Sequence, residues 1–541
     1  MDLLKIITHD LKIESNVKLI STIDEIKYIK QWDKYIKLLK KYSISDAYIH
    51  PSRVNKPIND IEKYLVEFTL KPETTTQLEL GINYYNNPFS SIYFVLSNPF
   101  TIDNPVFNVL FKNRNMINEI PTLLKKCFSH PEYFNYYNEE ILNRWLSVIQ
   151  YKPVLYKEYK KVSQKSEDKQ ILKFKKYKIL WKIFIDNCNE FSKDIKIYAK
   201  KYKKNDNKIV GCYHIGKSYY EHCLESHLGI KIHIPNGDSK HLGIKLDITK
   251  LLKWGYSELD RLVKKMRVYA QKVDSTIKSD MEFTKILDKL KNNETQKYKS
   301  IKELEEYYKN VIKKYSDIYI KKLKFPEYEK PNLVIFSNSK LGGGYYTLNN
   351  FYLNTFNWKN MRKFTVESLV LHETIPGHHT QVHTMLNHGI KYPVLFYFHS
   401  LLNGFIEGWG LFSEQLGFNQ TDWDIIGQIE YEMYRTLRII VDISLHYHGK
   451  TPDEMFDFMK DYLLMDHESI KNEIYRYVCN PGQAVSYKVG SQVFKKIINI
   501  NNWDTINNKN YELCNKIILD GPLPLKFLIK KYKINIDNLF S

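Results

Sequence analysis

Residues 370–383 read VLHETIPGHHTQVH. A histidine followed at once by a glutamate, His372-Glu373, with His378 and His379 a few residues on, is a residue set suited to metal-assisted hydrolysis. Imidazoles are neutral nitrogen ligands for zinc, and a neighbouring carboxylate that is not itself a ligand can take a proton from attacking water. A carboxylate ligand is offered by the stretch FIEGWGLFSEQLG, residues 405–417, in which Glu407 follows His372 by 35 positions. Glu414 lies seven residues later on the same helical face and is placed to hydrogen-bond a ligand histidine from behind. The expected centre is one zinc ion held by His372, His378 and Glu407, with Glu373 as general base.

The spacing of the histidines constrains the elements that carry them. On a regular helix His379 would stand two turns from His372, about 10.5 Å along the axis, too far for two ligands of one tetrahedral ion with bonds of ~2.1 Å. Pro376 removes the hydrogen bond to the carbonyl of His372 and clashes with it, so Pro376-Gly377 predicts a bulge or kink. Two extra residues in that turn bring His378 to the second ligand position, with His379 as the alternate. A polar stripe follows: Arg435, Arg438, Asp442 and His446, spaced i, i+3, i+7 and i+11 on a helix over 421–448. This stripe is a candidate cleft lining in which arginine holds a substrate carboxylate. Structural salt bridges are its plainer role. Tyr487, in PGQAVSYKVG, is a candidate hydrogen-bond donor to a developing oxyanion. Tyr345 and Tyr346, beside Gly342-Gly343-Gly344, sit in strand-like sequence at an edge where an extended peptide could pair.

Around these residues the chain reads as mainly α-helical. Helical periodicity recurs over 23–42 and through 106–204, and again over 246–322, where Ser257 is the expected N-cap of one helix with Asp260 at its third position. Strand-like residues gather at 332–355. Thr451-Pro452-Asp453-Glu454 has the form of a capping box, with proline at the first helical position. Two lobes are expected, an N-terminal helical lobe at 1–204 and a catalytic region at 205–541.

HETIPGHHTQ, IEGWGLFSE, the Arg435-Arg438-Asp442-Leu445-His446 pattern and PGQAVSYKVG, in this order, resemble the domain-of-unknown-function 885 family. GCYHIGKSYYEHCL (211–224) and KWGYSELDRLVKKM (253–266) resemble it further upstream. His372-Glu373 itself is similar to the front half of the zincin HExxH motif, departing from it at Pro376. The resemblance implies a large helical zincin-like body with a small β-sheet next to the catalytic helices. It also implies a fold akin to the thimet oligopeptidase and thermostable carboxypeptidase groups, with hydrolysis of a peptide or small amide as the activity.

Composition bounds the alternatives. At 541 residues, 43% hydrophobic and 14% aromatic, the chain can bury a large core. Its net charge of +20 admits a nucleic-acid-associated protein. The densest lysines, at 157–204, alternate at helical intervals with Ile171, Phe174, Tyr177, Trp181, Phe184 and Cys188, which is the pattern of a solvated helix face. No recognition module accompanies them, so no specific nucleic-acid partner is expected. Much of the lysine is what an AT-rich genome writes. Six scattered cysteines, without a CxxC pair, suit a reducing compartment. With no apolar leader and no run of 18 apolar residues, the sequence predicts a cytoplasmic protein with no membrane partner. The sequence leaves the oligomeric state open. A catalytically inactive binding protein on the same fold is the remaining alternative.

Overall fold

The computed structural model describes residues 168–202, 217–233, 245–322, 330–337, 343–347, 349–388, 402–498 and 508–540, together with positions 96, 111, 114–119 and 121. The periodic segment at 23–42 lies outside the described residues. The chain divides into two compact units, Met1–Ile209 and Val210–Ser541, where the sequence reading had drawn its boundary at 204.

In the first unit, helix α1 (Asp168–Tyr202) buries Tyr177, Leu180, Trp181, Phe184, Cys188 and Phe191 on one side. Lys175, Lys178 and Lys182 are exposed on the other. The lysine-rich stretch is thus the solvated face of an amphipathic helix wherever it is described. Tyr177 closes the buried face by donating from its hydroxyl to Leu96 O at 3.1 Å.

The second unit is mainly helical. In chain order the first are α2 (Lys217–Leu228), α3 (Ile248–Val273), α4 (Phe283–Asn292) and α5 (Ile301–Lys322). Strands β1 (Lys231–His233) and β2 (Lys245–Asp247) pair in parallel just before α3. The expected N-cap at Ser257 is corrected: the cap of α3 is Asp247, ten residues earlier, whose side chain accepts from the backbone N–H groups of Thr249 and Lys250. A serine is a good cap only where the chain before it is not helical. Here the preceding turns bury Ile248, Leu251 and Trp254, and that burial carries the helix through Ser257.

A three-stranded sheet comes next: β3 (Asn332–Phe336), β4 (Gly344–Thr347) and β5 (Asn350–Asn354), in the order β3-β5-β4. β3 runs parallel to β5, and β4 forms an antiparallel hairpin with it and stands at the edge. Asn349 makes the hairpin turn at a φ of 69°, a left-handed position that asparagine tolerates. β5 is buried along its whole length, and Phe351 and Leu353 pack with Tyr308 and Ile312 of α5 and with Val366, Leu369 and Val370 beyond the sheet.

Those last residues belong to α6 (Val366–Glu373), which is followed by α7 (His378–His388), α8 (Asn403–Ser413) and α9 (Asp422–His446). α9 opens with a capping box between Thr421 and Asp424. α10 (Pro452–Met459) opens with another, between Thr451 and Glu454, where the sequence marks it. α11 (His467–Cys479), α12 (Ser486–Ile498), α13 (Asn508–Leu519) and α14 (Leu525–Lys531) complete the body. α3 packs along α9 and α8 along α12, while β4 touches both α6 and α7.

The α8–α12 contact is unusually close. A Cβ on Gly490 would lie 1.9 Å from Gly404 O, and one on Gly408 would lie 2.5 Å from Gly490 Cα. Backbone therefore meets backbone there, and only glycine fits.

Candidate metal centre

The HETIPGHH segment breaks its helix outright, beyond the bulge or kink that its sequence predicts. α6 ends at Glu373, Thr374 N still bonds Val370 O, and α7 starts at His378. The two histidines therefore come from separate helices. The break is held from α8: the Trp409 indole donates to Pro376 O at 2.9 Å, and Ser413 Oγ donates to Leu371 O at 3.0 Å.

Three ligand-type atoms converge across this junction. His372 Nε2 lies 3.8 Å from Glu407 Oε2, and His378 Nε2 lies 3.5 Å from the same oxygen. The donor atoms of all three residues lie within 4.8 Å of one another. Two ligands of a tetrahedral zinc with bonds of ~2.1 Å stand about 3.4 Å apart, so the measured separations suit one small ion. Gly410 makes room for this packing: a Cβ there would come within 2.7 Å of His372 Cε1 and 3.0 Å of His378 Cε1.

The electrostatics of the cluster are consistent with that geometry. Burial alone would weaken the His378 imidazolium, but the facing Glu407 carboxylate, with Glu373 behind it, raises the ring to about 9. Burial opposes the Glu407 charge as well, yet the His372 and His378 rings hold its carboxyl well below the usual range. The Glu407 carboxylate thus favours positive charge beside His378 Nε2. The donor set, two imidazoles and a carboxylate, fits zinc.

Behind His372, Glu414 Oε1 lies 2.8 Å from Nδ1, and Arg435 Nη2 lies 3.2 Å from the same oxygen. The structure therefore brings Glu414 to the position expected of it. Arg435 stands behind Glu414, committed to its carboxylate and to Tyr431 O. His378 Nδ1 faces Gln381 Oε1 at 3.0 Å. His379 turns elsewhere: it is fully buried, its Nδ1 lies 3.0 Å from the Tyr346 hydroxyl, and its ring packs 4.2 Å from that of His383.

The remaining candidates separate. Tyr487 joins the site, its ring stacked near that of His372 with centroids 6.4 Å apart. Arg438 lies on the Tyr487 ring, 4.2 Å from its centroid, and bonds Tyr477, Tyr434 and Glu473. Asp442 accepts from the Tyr220 hydroxyl at 2.5 Å and from Gly482 N at 3.0 Å, and burial pushes its carboxyl up to about 7. His446 is pushed by burial down to about 4, so the ring is neutral and its Nε2–H donates to Tyr477 O. Arg435, Arg438, Asp442 and His446 are all buried, and these bonds tie α9 to α2, α8, α11 and the turn before α12. In the described structure the stripe is internal scaffolding, and the expectation that it lines a cleft is corrected. Tyr345 stacks flat on Tyr352 and meets Phe336 edge-on, on the face of β4 opposite Tyr346, because neighbouring strand residues alternate. The sequence reading missed Gln381 and Glu473. HHTQ does carry a local signal for Gln381, since positions i and i+3 meet on a helix.

Fold and cluster together define a mainly helical protein with a two-histidine, one-carboxylate centre. The profile of the family described as bacterial protein of unknown function (DUF885) matches residues 236–530. That is more than half of the chain, and the chain belongs to this family. Its fold is similar to that of the putative lipoprotein from Colwellia psychrerythraea, with a TM-score of 0.70 and 17% identity over 99% of this chain and 97% of that one. It is also similar to a putative lipoprotein of unknown function from Shewanella oneidensis, with a TM-score of 0.55 and 14% identity over 96% and 94%. No curated protein matches.

These neighbours overturn the cytoplasmic placement expected from the sequence. Both are described as putative lipoproteins, not as cytoplasmic proteins. The placement rested on a missing apolar leader and a missing membrane span. No helix among the described residues is long and apolar enough to cross a membrane, but a lipid anchor needs no such helix.

Proposed function

We propose that this protein is a zinc-dependent hydrolase that cleaves peptide or related amide bonds, with His372, His378 and Glu407 holding one ion. The observation that carries the reading is the convergence of three donor atoms within 4.8 Å beside a glutamate that is not one of them. When bound, the ion supplies Lewis acidity toward a carbonyl and toward water. The Glu373 carboxylate takes a proton from the attacking water as its oxygen bonds the carbonyl carbon. It then delivers that proton to the departing amine nitrogen as the C–N bond breaks. The Tyr487 hydroxyl donates to the carbonyl oxygen while negative charge builds there. Glu414 fixes the His372 ring with Nδ1 protonated and Nε2 free, and Arg435 fixes Glu414. β4, at the end of the described sheet order, suits pairing with an extended peptide.

The test is a peptide-library digestion read by mass spectrometry, on zinc-loaded protein, with Glu373→Gln as control. Cleavage by the parent that disappears both in the variant and under chelation is the expected result. A metal-loaded parent that leaves every peptide and amide intact would overturn the hydrolase reading.

A further inference from the structure

The two histidines of the centre are supported by chemically different groups. Behind His372 stands the Glu414 carboxylate, 2.8 Å from Nδ1 and itself held by Arg435. An ionised carboxylate only accepts hydrogen bonds, so Nδ1 must carry the proton and Nε2 keeps its lone pair for the cluster. This side of the centre has one tautomer.

Behind His378 stands Gln381, 3.0 Å from Nδ1. Both residues lie on α7, three positions apart, so the helix fixes their separation. Gln381 is 5% exposed, and its Nε2 has no hydrogen-bond partner among the described residues. With the carboxamide oxygen toward the ring, Nδ1–H donates to it and Nε2 is the nitrogen left to bind metal. A neutral amide of the same shape accepts that proton with less charge than a carboxylate, so it raises the donor strength of Nε2 less.

We propose that Gln381 is a positioning residue that sets how tightly the centre holds its metal and how fast it lets go, by supporting His378 with an amide where His372 has a carboxylate. This rests on the metal-centre reading above. Outer partners of this kind are worth about 10–100-fold in metal affinity. Gln381→Glu makes the two sides alike and tightens zinc by about 10-fold, with slower release. Gln381→Ala removes the support and weakens zinc by about 10–100-fold.

The experiment uses the full chain stripped of metal and titrated with zinc alone. Affinity is read by competition with a chromogenic chelator, and release by transfer to excess chelator. Parent, Gln381→Glu and Gln381→Ala are compared, with melting of the metal-free forms as the folding check. Tighter binding by Gln381→Glu than by the parent supports the proposal even if Gln381→Ala folds poorly, because damage does not raise affinity. A parent that binds one zinc while Gln381→Glu binds no more tightly overturns the role of Gln381 and leaves the centre standing. A parent that binds no zinc overturns both.

Discussion

Beneath α12, Glu432 receives Lys488 Nζ at 2.6 Å, Lys495 Nζ at 2.9 Å and Arg261 Nη2 at 3.2 Å. Glu258 holds Lys488 at 2.9 Å and grips Arg261 with both oxygens. The groups pair with opposite charges, Glu432 is held well below the usual carboxylate range despite burial, and burial pushes Lys495 down to about 8. The His372–His378–Glu407 cluster is equally interior but is built otherwise. Its facing atoms are two ring nitrogens and one carboxylate oxygen, the nitrogens 3.5 and 3.8 Å from that shared oxygen, too long for good hydrogen bonds. One cluster is closed by short hydrogen-bonded ion pairs that pin helices; the other leaves two rings and a carboxylate facing one another at spacings that suit one small ion. Buried ionisable groups alone do not mark a site, but the direction in which their partners point does.

The sharpest test of this contrast removes ligands. The double substitution His372→Ala, Glu407→Ala should abolish binding of the one zinc per chain, measured by elemental analysis of protein purified without chelators. Undiminished metal would place the ion elsewhere. Next, Glu373→Gln should lower turnover by ~10²–10⁴-fold while metal content stays at the parent level. Concomitant loss of metal would make Glu373 a ligand.

In the other cluster, Glu432→Ala takes from Lys488, Lys495 and Arg261 the carboxylate they share and leaves Glu258 alone to face Lys488 and Arg261; it should destabilise the fold by ~3–5 kcal/mol, read by denaturant unfolding. Zinc affinity of the folded protein should be unaffected. A large loss of affinity would show that the two clusters are coupled.

The smallest effect concerns Glu430, two residues from Glu432 on α9. Burial raises its carboxyl to about 7, with only Leu464 N donating to it strongly. Its folded value lies above the unfolded one of about 4.3, so the native state binds the extra proton between them. The stability this acid contributes is complete below pH ~4.3 and is lost as pH rises through about 7. Glu430→Gln should therefore unfold at higher denaturant than the parent at pH 8 and at nearly the same denaturant at pH 4. Equal midpoints at both would show that Glu430 is charged in the fold.

What the sequence discloses follows the range of each interaction. The Thr451 capping box and the strands at 332–354 depend on neighbours a few residues away, and they are legible. The convergence of His372, His378 and Glu407 is legible because Pro376 forbids the regular spacing and leaves few alternatives. The start of α3 is not, because burial of Trp254 outweighs the capping preference of Ser257. Nor is the scaffolding role of Arg438 and Asp442, whose partners Glu473 and Gly482 lie 35 and 40 residues away. A polar stripe looks the same in sequence whether it faces a cleft or a second layer of buried partners.

The backbone contact between Gly408 and Gly490 has a consequence for how this chain can change over generations. Between most helices, side chains act as exchangeable shims, and a compositional drift toward isoleucine, asparagine and lysine can slowly reset their spacing. Here there is no shim to exchange. Glu407 stands one residue before one of these glycines and Tyr487 three before the other, so atomic radii fix the spacing of the helices that carry them. Drift can rewrite the surface of this protein almost freely, while this one measurement in its interior stays where it is.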